Sequence, residues 1–333
     1  MSVSGPASRS AQKQPGTQVL LISSNGKLAE SVRQILPASC QLIVEADIGR
    51  SRDCIRHTPA IPVVAEFTPG QADGNGLSLL LHGHSSNNTV LIANGSDQDN
   101  LGFLFEHPGL MNMVPSSFPN FDHELKTTLV KKFGLKTKWG ISPYLKTGAQ
   151  IEKLRLYSFS NHGTILMTLN QHLSKIKAFR SFPDRIQTIA TELMMNAVLD
   201  APPQENVRNH RRKLHQRNQG IKLAKTEEVH VEFGYDDERF VIAASDNHGM
   251  LKEADALQRL YRCSTLGGSQ MRMTENRGAG VGFFMMYTWC SQLAFNIMPG
   301  KRTEVICILP IVKREKFALP EARALNFYRG RSL

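Results

Sequence analysis

Short apolar runs alternate with segments of helical periodicity in the first third of the chain. Continuous apolar runs of this length predict strands buried on both faces. They fall at residues 19–22, 41–45, 62–65, 89–93 and 111–114. Helices are predicted at residues 28–36, 77–82 and 122–133. Buried strands separated by helices indicate a parallel sheet covered on both sides, so residues 17–120 are expected to form a flavodoxin-like α/β domain.

The second half has a different pattern, in which helices are followed by antiparallel strand pairs. Residues 163–179 and 184–199 carry apolar side chains at helical spacing. A strand pair is predicted at residues 229–233 and 239–244, turned by four polar residues. An apolar helix over 283–293 then leads into a hairpin of strands 293–298 and 303–309 around Pro299-Gly300. These elements define a second domain over residues 161–315.

Length and composition agree with two ordinary globular domains, and the unusual feature is the charge. The chain has 333 residues, 40 Lys and Arg against 29 Asp and Glu, and a net charge of +11. Residues 121–160 hold eight basic and three acidic residues, and residues 206–226 hold seven basic residues and no acidic one. The excess is therefore local, in a basic connector and in a basic insertion. Since the insertion has few aromatic residues for base stacking, a nucleic-acid partner is disfavoured.

The cysteine content and the terminal segments indicate the cellular compartment. Five cysteines without a CxxC pair disfavour a disulfide framework or a zinc ribbon. Residues 1–16 are predicted to be a flexible polar tail without the apolar run of a signal peptide, and residues 316–333 a C-terminal tail. No stretch approaches eighteen apolar residues, so we expect no membrane span and a cytoplasmic protein.

The N-terminal domain resembles a response-regulator receiver in layout. The resemblance implies an acidic pair after the first strand, a phosphoacceptor Asp after the third, and a Lys after the fifth. This chain instead has the pairs Ser23-Ser24, Ala65-Glu66, Ala93-Asn94 and Pro115-Ser116 after strands one, three, four and five. Receiver phosphoryl transfer is therefore not expected. The domain is predicted to serve docking or dimerisation, with Glu66 as a permanent negative charge as the alternative.

A second signalling motif stands in the connector. The sequence from Phe121 to Leu129, which contains His123, Glu124 and Leu125, resembles the H-box of sensor histidine kinases. That resemblance implies His123 as a phosphoacceptor and Glu124 as a base. Glycine and proline at 134, 140, 143 and 148 interrupt the long hairpin that an H-box heads, so a closing helix of the first domain is preferred.

Three motifs in residues 161–315 carry the candidate chemistry. Glu192 and Asn196 are four residues apart on one helical face, where a carboxylate and a carboxamide suit a metal–nucleotide site. Asp246 ends a buried strand and Gly249 follows three residues later, an arrangement that suits recognition of an adenine amino group. A glycine run then opens a helix, where free amides and the helix dipole favour phosphate. The glycines are Gly278, Gly280 and Gly282.

The order of these motifs, closed by a threonine-bearing strand, resembles the GHKL ATPase superfamily. That superfamily includes histidine kinases, gyrase-type ATPases and anti-sigma serine kinases. The resemblance implies an α/β sandwich that binds ATP and Mg²⁺. It implies Asn196 as the Mg²⁺ ligand, Glu192 as the activating carboxylate, Asp246 and Gly249 at the adenine, and Thr303 nearby. It also implies the three glycines at the phosphates and a lid over 250–277, with Arg272 or Arg277 reaching a phosphate or lying in solvent.

This sequence departs from the family at three places. Asp200 stands four residues after Asn196, where anti-sigma kinases have His, and Ala201-Pro202 follows it. Leu251 replaces the second glycine of the Asp motif. Residues 206–226 are an insertion whose basic run, beginning at His210, is either a docking surface for an acidic partner or a solvated loop. Nucleotide binding is thus better supported than catalysis.

The resulting prediction is a cytoplasmic bacterial signalling protein, a serine kinase or a partner-switching regulator of the anti-sigma kind. Its expected partner is another signalling protein, either acidic and anti-anti-sigma-like or a receiver, and a homodimer stays open. The alternatives are an ATP-dependent binding module without turnover and a histidine kinase that uses His123.

Overall fold

The described part of the chain folds around one mixed sheet of eleven strands, in the order β2-β1-β3-β4-β5-β11-β9-β10-β8-β7-β6. This computed structural model describes residues 17–68, 76–77, 80–81, 88–107, 109–118, 120–133, 139–176, 183–274, 281–311 and 322–330, with side chains except at 183, 266–274 and 281. The strands are β1 Gln18–Ile22, β2 Gln41–Glu45, β3 Val63–Phe67, β4 Thr89–Ala93, β5 Asn112–Pro115, β6 Gln150–Leu156, β7 Val229–Tyr235, β8 Arg239–Asp246, β9 Gln292–Met298, β10 Arg302–Pro310 and β11 Ala324–Arg329. The α/β class predicted from the pattern of apolar runs is confirmed.

Helices cover both faces of this sheet. They are α1 Gly26–Ile35, α2 Ile48–His57, α3 Asp97–Glu106, α4 Phe121–Phe133, α5 His162–Leu173, α6 Pro183–Met195, α7 Glu205–Gln216, α8 Glu253–Thr274 and α9 Val281–Trp289. Side-chain caps fix three of the starts: Asn25, Asp47 and Ser96 each accept a backbone N–H of the first turn.

The N-terminal half is a parallel sheet in the order β2-β1-β3-β4-β5. This is the flavodoxin-like order, as the sequence predicts. Neighbouring residues of one strand enter different cores, because successive side chains point to opposite faces. Leu91 packs with α2 and α3, whereas Val90 packs with α1 and α4.

The C-terminal half is antiparallel in the order β9-β10-β8-β7-β6. Helices α5, α6, α8 and α9 pack on one face, in the same core as Leu91. The opposite face is covered by residues 139–149, which place Ile141 and Tyr144 against strand residues such as Ile306. The ammonium of Lys131, on α4, lies 4.6 Å from the Tyr144 and Tyr328 ring centres.

The structure differs from the sequence prediction at the C-terminus and in the connector. Ala324–Arg329, expected in a tail, forms β11 between the two halves of the sheet. It runs parallel to β9 and antiparallel to β5. The connector forms the predicted helix α4. It also forms the edge strand β6, which the sequence analysis does not predict.

Side-chain contacts also hold the two halves together. Asp97, in the first turn of α3, accepts hydrogen bonds from the Tyr287 hydroxyl at 3.1 Å and from the Arg323 backbone N–H at 2.7 Å, and it pairs with the Arg323 guanidinium. The Phe105 ring of α3 stacks on Tyr261 of α8 with centroids 4.6 Å apart. Helix α3 therefore contacts the two helices next to the second-domain motifs.

None of the helices within the described ranges combines the length and the apolarity that a membrane crossing requires.

Candidate functional site

Helix α6 brings the first candidate residues to the sheet and ends in an unusual turn. Residues Asn196–Asp200 form a π-helical turn, closed by the Ala201 N–H donating to the Asn196 carbonyl at 3.1 Å. Such single π-turns occur frequently at functional sites. Pro202 and Pro203 follow, and proline prevents the helix from continuing.

Asp246 and Thr303 form the floor of the site. They are paired in register on the adjacent strands β8 and β10, and both are buried. Asp246 Oδ1 accepts the backbone N–H groups of His248 at 2.8 Å and Gly249 at 3.2 Å. Burial raises the pKa of the Asp246 carboxyl above its usual value, and these two hydrogen bonds oppose that shift. The side chain of Thr303 also interacts with this carboxylate and lowers its pKa.

A cavity of about 340 Å³ joins these residues. Asn196, Asp246 and Thr303 all line it, although 107 residues separate the first from the last. Its apolar walls include Leu193, Ala244, Leu251, Phe283 and Val305. The other half of its lining residues are polar or charged, so the cavity suits a ligand that has both an apolar and a charged part.

Asn196 lines this cavity and carries an unsatisfied polar group. Its side-chain Nδ2 is buried and has no hydrogen-bond partner among the described residues. A buried donor without an acceptor costs about 1–3 kcal/mol, so a ligand that supplies an acceptor would recover that energy. A carboxamide can also turn its oxygen toward a cation.

Glu192 lies one turn before Asn196 but is not among the residues that line the cavity. Its carboxylate packs against the backbone of Gly282, so closely that a Cβ at 282 would overlap it. Burial raises the pKa of Glu192 above its usual value, and the negative charge of Asp200 adds to the increase. Of the predicted phosphate glycines, Gly282 stands near the start of α9, whereas Gly278 and Gly280 lie outside the described residues.

Gly249 lies against the β9–β10 turn. Its φ is +63°, and a Cβ there would overlap the carbonyl oxygen of Met298 in the β9–β10 turn. The Gly300 N–H donates to the Gly249 carbonyl at 3.1 Å. The glycine therefore permits a close approach of two backbone segments behind Asp246.

The predicted lid is partly helical. Residues 253–274 form α8, which packs against α3 and α9. Arg272 belongs to this helix, but its side chain is outside the described part, and Arg277 lies outside it altogether. Four basic residues within the described part of the chain line the cavity, and the sequence analysis names none of them individually: Arg208, Arg212, Lys252 and Arg259.

The receiver-like half gathers a second polar cluster at the carboxyl ends of β1, β3, β4 and β5. Ser23 Oγ donates to Glu66 Oε2 at 2.5 Å, and Asn94 Nδ2 donates to Glu66 Oε1 at 3.2 Å. Ser116 Oγ donates to the side-chain oxygen Oδ1 of Asn94. Both Glu66 oxygens are thus bound by side chains of this cluster.

His123 lies on α4, which packs on the face of the sheet opposite the cavity. Burial lowers its pKa below the usual value, and the Arg239 charge lowers it further. The structure does not bring this histidine together with the nucleotide motifs.

Comparisons with known proteins add little to this geometry. No family model matches the chain, and no curated protein matches it significantly. One solved structure that matches is the Legionella pneumophila response regulator LqsR, at 11% identity and a TM-score of 0.26, over 93% of this chain and 94% of that one. A TM-score this low supports no inference about the fold or the function of this protein.

Proposed function

We propose that this protein is a signalling protein that binds ATP with Mg²⁺ in the cavity between α6 and strands β8 and β10. The observation that carries the proposal is the convergence of Asn196, Asp246 and Thr303 on one cavity. Asp246 presents a buried carboxylate oxygen, which suits the amino group of adenine. The apolar walls suit the faces of the base.

Asn196 would hold the metal. Among the described residues there is no cluster of three His, Cys, Asp or Glu side chains that could bind a cation alone. Mg²⁺ is commonly held by one or two protein oxygens together with substrate phosphates, so a single carboxamide fits this ion. When bound, Mg²⁺ would neutralise negative charge on the phosphates.

In the kinase form of the proposal, a serine hydroxyl of a partner protein is the acceptor. Its oxygen bonds to the γ-phosphorus while the bond to the β–γ bridging oxygen breaks and ADP leaves. Glu192 accepts the hydroxyl proton. Its raised pKa makes it a stronger base than an exposed glutamate.

A second candidate function is an ATP-dependent switch without turnover. The position of Glu192 favours it, because the carboxylate faces Gly282 and does not line the cavity. In this form ATP would order the segment around α8 and so control a partner. Phosphorylation of His123 is the least supported alternative, since α4 lies on the opposite face of the sheet.

The test is binding of a fluorescent ATP analogue to the full chain and to Asp246→Ala. We expect binding by the wild-type protein and its loss in the variant, because the buried adenine acceptor is gone. Unchanged binding by Asp246→Ala would refute the site assignment. Incubation with labelled ATP and partners from a pull-down then separates kinase from switch.

A further inference from the structure

Helix α7, which forms the first half of the basic insertion, borders the cavity. Arg208 and Arg212 are four residues apart, so they share one face of the helix, and both line the cavity. Arg211 points elsewhere: it is buried and donates to the Val198 carbonyl at 3.0 Å and to Glu227 at 2.8 Å. Arg211 therefore anchors the helix to the π-turn, and this anchoring presents the other two arginines to the cavity.

Local contacts hold each of these two guanidinium groups in place. Arg208 Nη1 donates to the carbonyls of Pro202 at 2.7 Å and Pro203 at 2.8 Å. Arg212 Nη2 donates to Asp200 Oδ1 at 2.5 Å. A guanidinium carries five N–H donors, and within the described part of the chain these bonds use one nitrogen of each arginine. The remaining donors are available to a ligand.

The charge balance of the cavity favours an anion. Besides the two arginines it is lined by Lys252 and Arg259, against three carboxylates. Arg212 is paired with Asp200, whereas Arg208 makes no ion pair within the described residues and bonds only to neutral carbonyl groups. An unpaired guanidinium beside a cavity matches phosphate geometry, because its planar fork can bind two oxygens at once.

We propose that α7 forms the polyphosphate wall of the site, with Arg208 and Arg212 binding phosphate oxygens of the nucleotide. This inference rests on the proposed nucleotide-binding function and deepens it. The insertion is then part of the ligand site rather than a docking surface for an acidic protein. It makes the site selective for a nucleoside di- or triphosphate over the nucleoside alone.

The experiment measures the affinities of ATP, ADP and adenosine by calorimetry with the full-length protein. The test variant is Arg208→Ala/Arg212→Ala. The matched control is Lys213→Ala/Arg217→Ala, which removes the same charge from positions that do not line the cavity. Thermal melts establish that each variant is folded.

We expect the test variant to bind ATP and ADP about 100-fold more weakly, about tenfold for each guanidinium removed from the phosphates. Adenosine affinity should be unchanged, and the control should bind all three ligands like the wild type. Arg208→Lys/Arg212→Lys should recover part of the ATP affinity, since the charge returns without the fork.

Three results would overturn the inference: unchanged ATP affinity in the test variant, an equal reduction of adenosine affinity, or an equal reduction in the control. They differ from failure of the proposed function. In that case the wild-type protein itself binds neither ATP nor adenosine. If the wild type binds ATP, Asp246→Ala does not, and the test variant binds like the wild type, only the role of α7 is refuted.

Discussion

Each half of the sheet gathers polar side chains at strand ends, and the two clusters differ in how their hydrogen bonds are satisfied. In the N-terminal half, Ser23 and Asn94 donate to Glu66, and Ser116 donates to Asn94. In the C-terminal half, Asn196 has a buried donor without a partner in the described structure, and Asp246 and Thr303 face a cavity with it. A closed network needs no ligand, whereas an open one becomes complete when a ligand arrives.

The cluster in the N-terminal half is built around one carboxylate, Glu66. Two neutral side chains, Ser23 and Asn94, donate to the Glu66 carboxylate, and Ser116 in turn donates to Asn94. Asn94 follows β4, and the chain then enters α3. Asp97, in the first turn of α3, accepts a hydrogen bond from the Tyr287 hydroxyl of α9. The N-terminal half thus supports the helix that follows the glycine run, which is a structural role.

The largest expected effect concerns Glu192. If the protein is a kinase, Glu192→Gln should lower labelled phosphate transfer by about 100- to 10,000-fold, because the general base is removed. ATP affinity should stay unchanged, since Glu192 does not line the cavity. Transfer at the wild-type rate in Glu192→Gln would show that this carboxylate is not the base.

The pH dependence of phosphate transfer also tests whether Glu192 is the general base. The rate of phosphate transfer should rise with pH as Glu192 loses its proton. Because burial raises the pKa of Glu192, this rise should occur at a higher pH than for an exposed glutamate. Asp200→Asn removes a negative neighbour and should move the rise to lower pH. Asp255→Asn is the control, because Asp255 lines the cavity but is exposed to solvent. A shift as large in the control would contradict this account.

The backbone behind Asp246 offers the next test. Gly249→Ala should destabilise the protein by about 2 kcal/mol or more, because its positive φ disfavours a side chain and the Cβ would overlap Met298. Gly300→Ala is the control, with φ +69° but nothing within 4 Å of the added Cβ, and should cost about 1 kcal/mol. Denaturant unfolding measures both. Equal destabilisation would mean that backbone strain alone matters.

A smaller effect is expected for Asn196, and Asn94 of the N-terminal cluster is its control. Asn196→Ala should lower ATP affinity about tenfold in the presence of Mg²⁺ and much less in EDTA, because the variant has no carboxamide oxygen for the metal. Asn94→Ala, in the closed network, should leave ATP affinity unchanged under both conditions. Titration with the fluorescent analogue measures all four values. A Mg²⁺-independent decrease in Asn196→Ala would argue against metal binding.

The smallest effect is expected for Glu66. Glu66→Gln keeps an oxygen acceptor for the network, so the free energy of unfolding should change by less than about 1 kcal/mol. ATP affinity should not change. A large fall in ATP affinity would break the contrast between the two clusters, because it would make the N-terminal network part of nucleotide binding.

Residues close in sequence were predicted well, and distant partners were not. The parallel strand order follows from continuous apolar runs with helices between them. The strand pair β7–β8 follows from two apolar runs joined by a short polar turn. The edge strand β6 was not predicted, because Glu152 and Lys153 are adjacent and interrupt the alternation of apolar and charged side chains.

The sequence predicts Asn196, Asp246 and Thr303 for one site, and all three line one cavity. Their roles stay a prediction. The basic residues of the site were not predicted. The spacing of Arg208 and Arg212 shows that they share a helix face, but it does not show what that face meets.

The sequence by itself determined the α/β class, the parallel first half and the identity of the motif residues, because each depends on local periodicity and chain order. Only the tertiary structure decided that β11 joins the two halves, that Gly249 approaches the β9–β10 turn, and that α7 turns two arginines toward the cavity. These features depend on which distant segments pack together. Packing of that kind is set by the complementarity of whole surfaces, which no short stretch of sequence contains.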